Sequence, residues 1–163
     1  MTDLLRVLGI LGSLASRQGE KLGCAVLGPT IPAVSGPQLE AQRSATAQLV
    51  IGHTRASDAC AWVGDADLVL VAYGVTTEGL TTAVKRLSDS ASAAEAPPGT
   101  DGLSAGIVEL DPGSFQWVRS GGESLTGRSQ NQRVASLSRI ADAQSALRRA
   151  REAGGGVRAV AIR

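Results

Sequence analysis

Few side chains in this chain could do chemistry, and its one histidine limits the options most. His53 is the one histidine of the chain, so any Ser-His-Asp or Cys-His arrangement must include it. Ser57, Asp58 and Cys60 lie nearby in sequence, but the partners of a catalytic histidine are usually brought to it by the fold. We therefore interpret His53 as a structural or exposed residue and predict no catalytic residue.

Metal and phosphate chemistry also find little support. Cys24 and Cys60 have no CxxC spacing, and together with His53 they would make a weak zinc site. The run Gly121–Gly127 precedes a predicted helix and could hold an anion through its backbone amides, but no lysine follows it, so an ordinary loop is favoured. The sequence thus predicts no metal and no cofactor, and it favours a non-enzyme while leaving the question open.

Charge is unevenly distributed although the net charge is only +1. From Asp89 to Val118 there are five acidic residues and no basic one, whereas from Arg119 to Arg163 nine arginines accompany three acidic residues. A solvated helix face would explain this, and so would complementary surfaces on neighbouring subunits. Nucleic-acid binding is disfavoured, because no aromatic residues interleave with the arginines. As interface residues we predict Arg133, Arg139, Arg148, Arg149 and Arg151.

The elements that must position these residues follow from hydrophobic periodicity. Leucines and an alanine at helical spacing predict an amphipathic helix over residues 3–16, and an apolar run predicts a strand at Leu22–Leu27. The three prolines of Pro29–Pro37 require an extended loop. Gln48–Thr54 is interpreted as a strand, and Ala56–Val63 as a helical turn or a hairpin arm.

The second half of the chain has clearer patterns. The unbroken apolar run Leu68–Tyr73 is typical of a strand that is covered on both faces. Thr76 or Thr77 can cap the helix that follows, and a Ser129/Gln132 capping box can begin the last one. The remaining predictions are a helix over 78–87, a flexible loop over 88–102, a hairpin of Leu103–Leu110 with Ser114–Arg119, a helix over 129–153 and a closing strand Val157–Ile162.

These elements predict one domain over residues 1–163, of α/β class, with α+β as the alternative. We expect a mixed sheet, an N-terminal helix, and a long C-terminal helix followed by the closing strand. With 20 glycines and four aromatic residues, the core should bury little area per residue, so partner contacts could supply stability.

Two segments resemble known families. Ile51–Arg55 resembles the GHTR segment of class II glutamine amidotransferases, which use an N-terminal cysteine as nucleophile, whereas this chain begins Met1-Thr2. Residues 65–87 resemble a strand–turn–helix unit of the transketolase C-terminal domain family and of 2-oxoacid:ferredoxin oxidoreductases. With Gly106–Leu110 as its next strand, the resemblance spans about a quarter of the chain, and it implies a largely non-catalytic domain that supports subunit contacts.

Three functions stay open at this point. The favoured hypothesis is a non-enzymatic structural or assembly subunit of a larger homo- or hetero-oligomer, of which a phage particle component is one example. The predicted partners are other protein subunits. The second is a small ligand-binding or enzyme domain with a site at the end of Leu68–Tyr73, near Gly74, Thr76 and Thr77, because the carboxyl ends of strands commonly bind ligands. The third is a nucleic-acid contact through the arginine-rich last helix.

The expected location is the cytoplasm, or a particle assembled there. The apolar run Val7–Leu14 is short and preceded by Asp3, which disfavours a secretory signal peptide. No stretch is long enough to predict a membrane span, so we expect a soluble protein without membrane contacts.

Overall fold

A five-stranded mixed sheet lies between two helical layers in the computed structural model, which describes residues 2–93, 102–114 and 127–160. The elements are α1 (Thr2–Gln18), β1 (Leu22–Pro29), α2 (Gly36–His53), β2 (Ala59–Val63), β3 (Asp67–Tyr73), α3 (Thr77–Ala91), β4 (Leu103–Leu110), α4 (Gly127–Glu152) and β5 (Gly156–Ala159). The strand order is β2-β3-β1-β4-β5; β5 runs parallel to β4, and all other neighbours are antiparallel. The predicted α/β class and mixed sheet are confirmed.

The two helical layers explain why the central strands are apolar throughout. Successive side chains of β1 alternate between the faces: Cys24 and Val26 join the core under α1 and α4, while Ala25 and Leu27 join the core under α2 and α3. Every residue of β1 is buried. A strand covered on both faces has no solvent side for polar residues, so the continuous apolar runs of β1 and β3 are what this position requires.

Helix α4 lies closest to the sheet, directly over Gly106 of β4. A Cβ atom built on Gly106 would come within 1.9 Å of the Ala143 carbonyl oxygen and 2.6 Å of the Leu147 amide nitrogen. The side chains of Ala143 and Leu147 are fully buried beside it. The glycine is therefore needed for the close approach of a helix backbone to a strand backbone.

Residues 48–53 are helical and Thr54 caps the helix, so the predicted strand Gln48–Thr54 is wrong. They form the last turns of α2, which begins beyond Ser35 with a proline in its first turn. The buried residues of α2 recur at helical spacing and face the sheet; they are Gln42, Ala45, Thr46, Leu49 and Val50. The short Val50-Ile51 run resembled a strand, but only Val50 is buried, and Ile51 is 66% exposed. Packing of one helical face on the sheet outweighs the strand preference of two β-branched residues.

Other boundaries differ by a few residues. Ala56–Val63 contains a hairpin arm, β2, which was one of its two predicted forms. Helix α3 continues to Ala91, so residues 88–91 of the predicted flexible loop are helical. Helix α4 begins at Gly127, two residues before the predicted Ser129 cap.

Several predictions lie outside the described residues. These are residues 94–101 of the loop over 88–102, the predicted hairpin arm Ser114–Arg119 beyond its first residue, and the last two residues of the closing strand Val157–Ile162. Among the helices that the structure describes, none is both long and apolar enough to cross a membrane.

Candidate functional site

A cleft of about 330 Å³ opens between the C-terminal end of α2, the loop to β2, and α3. Its floor is apolar and is formed by Leu70 and Ala72 of β3 with Leu80 and Leu87 of α3, all buried. Its polar lining comes from three different parts of the chain: Arg55 and Asp58 in the loop, His53 at the end of α2, and Arg86 on α3. An apolar floor with a few convergent polar groups is the usual form of a small-ligand site.

The loop between α2 and β2 fixes Asp58 through a tight turn. Helix α2 ends at His53, and Thr54 has extended backbone angles that turn the chain away from the helix axis. The Asp58 amide then donates to the Arg55 carbonyl oxygen at 3.0 Å, and the Arg55 amide donates to Asp58 Oδ2 at 2.9 Å. These two bonds orient the Asp58 carboxyl group, since one of its oxygens is held by the turn itself.

The second carboxyl oxygen of Asp58 has no such partner. Asp58 Oδ1 is buried and makes no hydrogen bond within the described residues. An unpaired buried acceptor costs about 1–3 kcal/mol, so it is a place where a ligand donor would be favoured. The neighbouring Cys60 responds to the same surroundings: burial, and then the Asp58 charge, raise the pKa of its thiol to about 11. Cys60 is therefore a neutral thiol at physiological pH.

Two arginines supply the positive charge of the cleft. Arg55 and Arg86 are both exposed, and within the described part of the chain neither guanidinium forms an ion pair. With Asp58 they leave the cleft one positive charge in excess. Free guanidinium groups around a concave surface favour anionic ligands, above all those with carboxylate or phosphate oxygens.

The residues proposed from the sequence lie next to this cleft and do not line it. Gly74 ends β3 with a φ of +66°, and its amide donates to the Lys21 carbonyl oxygen. Thr76 is the cap of α3, accepting from the Gly79 amide at 3.2 Å, as one of the two predicted capping residues. Thr77 donates to Glu109 Oε2 at 3.3 Å. All three residues thus have structural partners within the chain. The cleft is lined instead by Val75, which lies between Gly74 and Thr76, and by Gly79, which follows Thr77 by two positions.

The predicted interface arginines do not share one surface. Arg151 turns inward: its Nη2 lies 2.6 Å from Asp67 Oδ1 and its Nε donates to the Pro29 carbonyl oxygen at 2.9 Å. Gly28 makes room for this side chain, because a Cβ there would lie 2.7 Å from both Arg151 Nη2 and Asp67 Oδ1. Arg151 is thus used within the chain and is not a rim charge.

The other interface arginines are placed as follows. Arg139 is half-buried and 3.5 Å from Asp142, and Arg148 is exposed and donates to Ser145. Arg149 is exposed, and the side chain of Arg133 lies outside the described residues. Their role in an interface stays a prediction.

Sequence reasoning missed Arg55, Asp58 and Arg86 as a group. The spacing of Arg55 and Asp58 around a short turn before a strand was the available local signal. Arg86 could not be added to them from sequence, because it reaches the cleft only through the packing of α3 beside α2. His53 lines the cleft, but its Nδ1 pairs with the Leu49 carbonyl oxygen at 2.8 Å, and no cysteine, serine or carboxylate in the described part of the chain bonds to it.

Metal ligands are not grouped in the described ranges, where no cluster of three histidine, cysteine or acidic residues occurs.

Comparison of the sequence with known proteins finds no relative: no family model and no curated protein sequence matches the chain.

Solved structures do match. The GGDEF domain of FimX from Pseudomonas aeruginosa has a TM-score of 0.66 at 17% identity, covering 98% of this chain and 92% of that one. The GGDEF domain of DgcB from Caulobacter crescentus, solved in complex with c-di-GMP, has a TM-score of 0.63 at 17% identity, covering 93% and 85%. Diguanylate cyclase SiaD from Pseudomonas aeruginosa, in complex with its activator SiaC, has a TM-score of 0.59 at 18% identity, covering 98% and 56%. The fold of this chain is therefore that of the GGDEF domains.

This finding corrects the favoured functional hypothesis. A structural or assembly subunit, and a phage particle component in particular, is wrong, because the matching structures are GGDEF domains, including one from a diguanylate cyclase. The second hypothesis, a small α/β ligand-binding or enzyme domain, agrees better with this fold.

Proposed function

We propose that the domain binds the cyclic dinucleotide c-di-GMP in the cleft between α2 and α3, and that it acts by binding rather than by catalysis. The observation that carries the proposal is the arrangement of Arg55 and Arg86, whose guanidinium groups form no ion pair within the described residues, with Asp58, whose Oδ1 has no hydrogen-bond partner there. Such a set needs a ligand that carries both an anionic group and hydrogen-bond donors.

The arginines match the phosphates of such a ligand. A phosphodiester carries one negative charge throughout the physiological pH range, and a guanidinium can donate two parallel hydrogen bonds to its oxygens. The cleft keeps one positive charge after Asp58 is counted, so an anion gains from entering it. Because Arg55 lies on a loop and Arg86 on a helix, the two can contact a phosphate from different sides.

Asp58 matches the base. An ionised carboxylate only accepts hydrogen bonds, so it would repel a phosphate and must meet a different part of the ligand. Guanine presents two adjacent donors, N1–H and N2–H, which one carboxylate can accept together. Adenine presents one donor beside an acceptor nitrogen, which would oppose a carboxylate oxygen. The free Asp58 Oδ1 therefore favours guanine over adenine.

The apolar floor and the fold add support. Leu70, Ala72, Leu80 and Leu87 offer a surface against which a base can be buried. The volume of about 330 Å³ is at the lower end for ligand pockets, so part of a dinucleotide would extend out of the cleft. The DgcB domain with the same fold was solved in complex with c-di-GMP, which is why this dinucleotide is proposed.

Cyclisation is the second candidate, since one matching structure is a diguanylate cyclase. The letters that name these domains, GGDEF, do not occur as a run in this chain. The partial match Gly121-Gly122-Glu123 lies outside the described residues. We therefore propose binding as the function, with a cyclase assay on GTP as the arm that tests the alternative.

A protein partner and a cytoplasmic location are part of the proposal. SiaD was solved with its activator SiaC, so a partner protein that responds to the bound state is a reasonable expectation for this chain. Cys24 and Cys60 are free thiols, which favours a reducing compartment.

The proposal is tested by isothermal titration of the purified chain with c-di-GMP and, separately, with c-di-AMP. We expect micromolar or tighter binding of c-di-GMP and at least tenfold weaker binding of c-di-AMP. Arg55→Ala and Arg86→Ala should each weaken c-di-GMP binding about 10- to 100-fold, because each removes a charged hydrogen-bond donor. Asp58→Asn should reduce the preference for guanine, since the amide can still satisfy the turn but offers a donor to the base.

Arg148→Ala is the matched control, because Arg148 is an exposed arginine on α4 whose hydrogen bond is to Ser145. It should leave the dissociation constant unchanged. Absence of c-di-GMP binding at millimolar ligand would overturn the proposal, as would equal binding by the Arg55 and Arg86 variants. Formation of c-di-GMP from GTP would favour the cyclase alternative.

A further inference from the structure

His53 lies at the rim of the cleft, and one of its two ring nitrogens already has a hydrogen-bond partner within the chain. Its Nδ1 lies 2.8 Å from the Leu49 carbonyl oxygen, and a carbonyl can only accept. Nδ1 therefore carries the hydrogen in both protonation states. The other nitrogen, Nε2, changes its character: in the neutral ring it is an acceptor, and in the protonated ring it is a donor.

The groups that face His53 across the cleft are known from its lining. The loop contributes Arg55 and Asp58, α3 contributes Arg86, and the floor from β3 is apolar. The arginines keep their charge at any ordinary pH, and the thiol of Cys60 in nearby β2 has its pKa raised to about 11 by burial and by Asp58, so it stays neutral. Histidine is the residue type in this set that gains or loses a proton most readily near neutral pH.

We infer that His53 makes ligand binding in this cleft sensitive to pH, and this inference rests on the proposed function. When His53 is protonated, the cleft gains a third cation and Nε2–H can donate to a phosphate oxygen. When His53 is neutral, Nε2 is an acceptor and that donor is lost. Binding of c-di-GMP should therefore be tighter at pH 6 than at pH 8.

The test compares dissociation constants for c-di-GMP at pH 6.0 and pH 8.0 at constant ionic strength. We expect the unmodified chain to bind c-di-GMP about tenfold more tightly at pH 6.0. A tenfold change in the dissociation constant corresponds to the free energy of about one charged hydrogen bond at a partly exposed site. His53→Gln should bind with the same constant at both values, because its amide does not titrate. Arg148→Ala should keep the full pH dependence.

A second measurement reads the histidine directly. His53 is the only histidine of the chain, so its imidazole proton signals are assigned without ambiguity. Saturating c-di-GMP should change the pH dependence of these signals in favour of the protonated ring, because a bound anion stabilises the imidazolium.

The outcomes separate the two proposals. Binding that is equal at both pH values, or a pH dependence that survives in His53→Gln, overturns the role of His53 and leaves the proposed function intact. Absence of binding at both pH values removes the proposed function and the inference together.

Discussion

The contact of α4 with Gly106 makes the sharpest prediction about the fold. In Gly106→Ala the added methyl group would lie 1.9 Å from the Ala143 carbonyl oxygen and 2.8 Å from Ala146 Cβ. The first is a backbone atom, so no change of rotamer can move it out of the way. The helix must shift outward by more than 1 Å to restore ordinary contact, and its buried residues must shift with it.

The cost follows from that displacement. Overpacking of a buried site commonly costs about 1–3 kcal/mol, and here the clash is with a whole helix rather than with one side chain. Ile140, Ala143 and Leu147 would each lose part of their packing on the sheet. We therefore expect Gly106→Ala to lower the free energy of unfolding by about 3 kcal/mol or more.

Urea unfolding followed by far-ultraviolet circular dichroism measures this change. Gly52→Ala is the matched control: Gly52 is a helical glycine of α2, and apart from its own helix and chain neighbours no described atom lies within 4 Å of the added Cβ. It should raise the free energy of unfolding by about 0.5–1 kcal/mol, because alanine is the better helix former. A Gly106→Ala variant within about 1 kcal/mol of the unmodified chain would refute the described packing of α4 on β4.

Three further predictions concern single side chains. Thr46 is fully buried and its hydroxyl has no partner within the described residues, so Thr46→Val should raise the free energy of unfolding by about 1 kcal/mol in the same urea assay. Arg151→Ala leaves the Asp67 carboxylate and a backbone carbonyl without their donor, which should cost about 2 kcal/mol. The double variant with Asp67→Ala should cost clearly less than the sum of the two, and simple additivity would contradict the ion pair. Cys60, whose thiol pKa is raised to about 11, should react with iodoacetamide at pH 8 roughly a hundred times more slowly than a free cysteine. Asp58→Asn should accelerate this reaction, because it removes the nearby negative charge. A reaction in the native chain as fast as that of a free cysteine would contradict the raised thiol pKa.

Most of the secondary structure could be predicted from local patterns, and the main error has a clear cause. The leucine spacing of α1, the apolar runs of β1 and β3, and the cap of α3 at Thr76 are local signals that the structure repeats. The C-terminal half of α2 was mistaken for a strand because Leu49-Val50-Ile51 is apolar. Its helical form depends on which of these side chains meet the sheet, and that is a tertiary fact.

The sequence predicts the neighbourhood of the cleft but not the residues that line it. The end of β3 was expected to carry a site, but Gly74, Thr76 and Thr77 have structural partners there. The polar residues of the cleft come from a loop before β2 and from a helix after β3, and Arg55 and Arg86 are thirty-one positions apart in the chain. No periodicity joins them. The functional hypothesis of an assembly subunit is wrong for the same reason: it depends on an absence of local catalytic motifs, and residues that the fold brings together leave no such motif in the sequence.

The central claim is that c-di-GMP binds between α2 and α3, and its location can be measured directly. Backbone amide chemical shifts of the isotope-labelled chain should be recorded during titration with c-di-GMP. The largest changes should cluster at the lining of the cleft, over residues 53–58 and 79–87. Changes that instead cluster at the β2–β3 turn, residues 64–67, or the absence of any change at saturating ligand, would contradict the account.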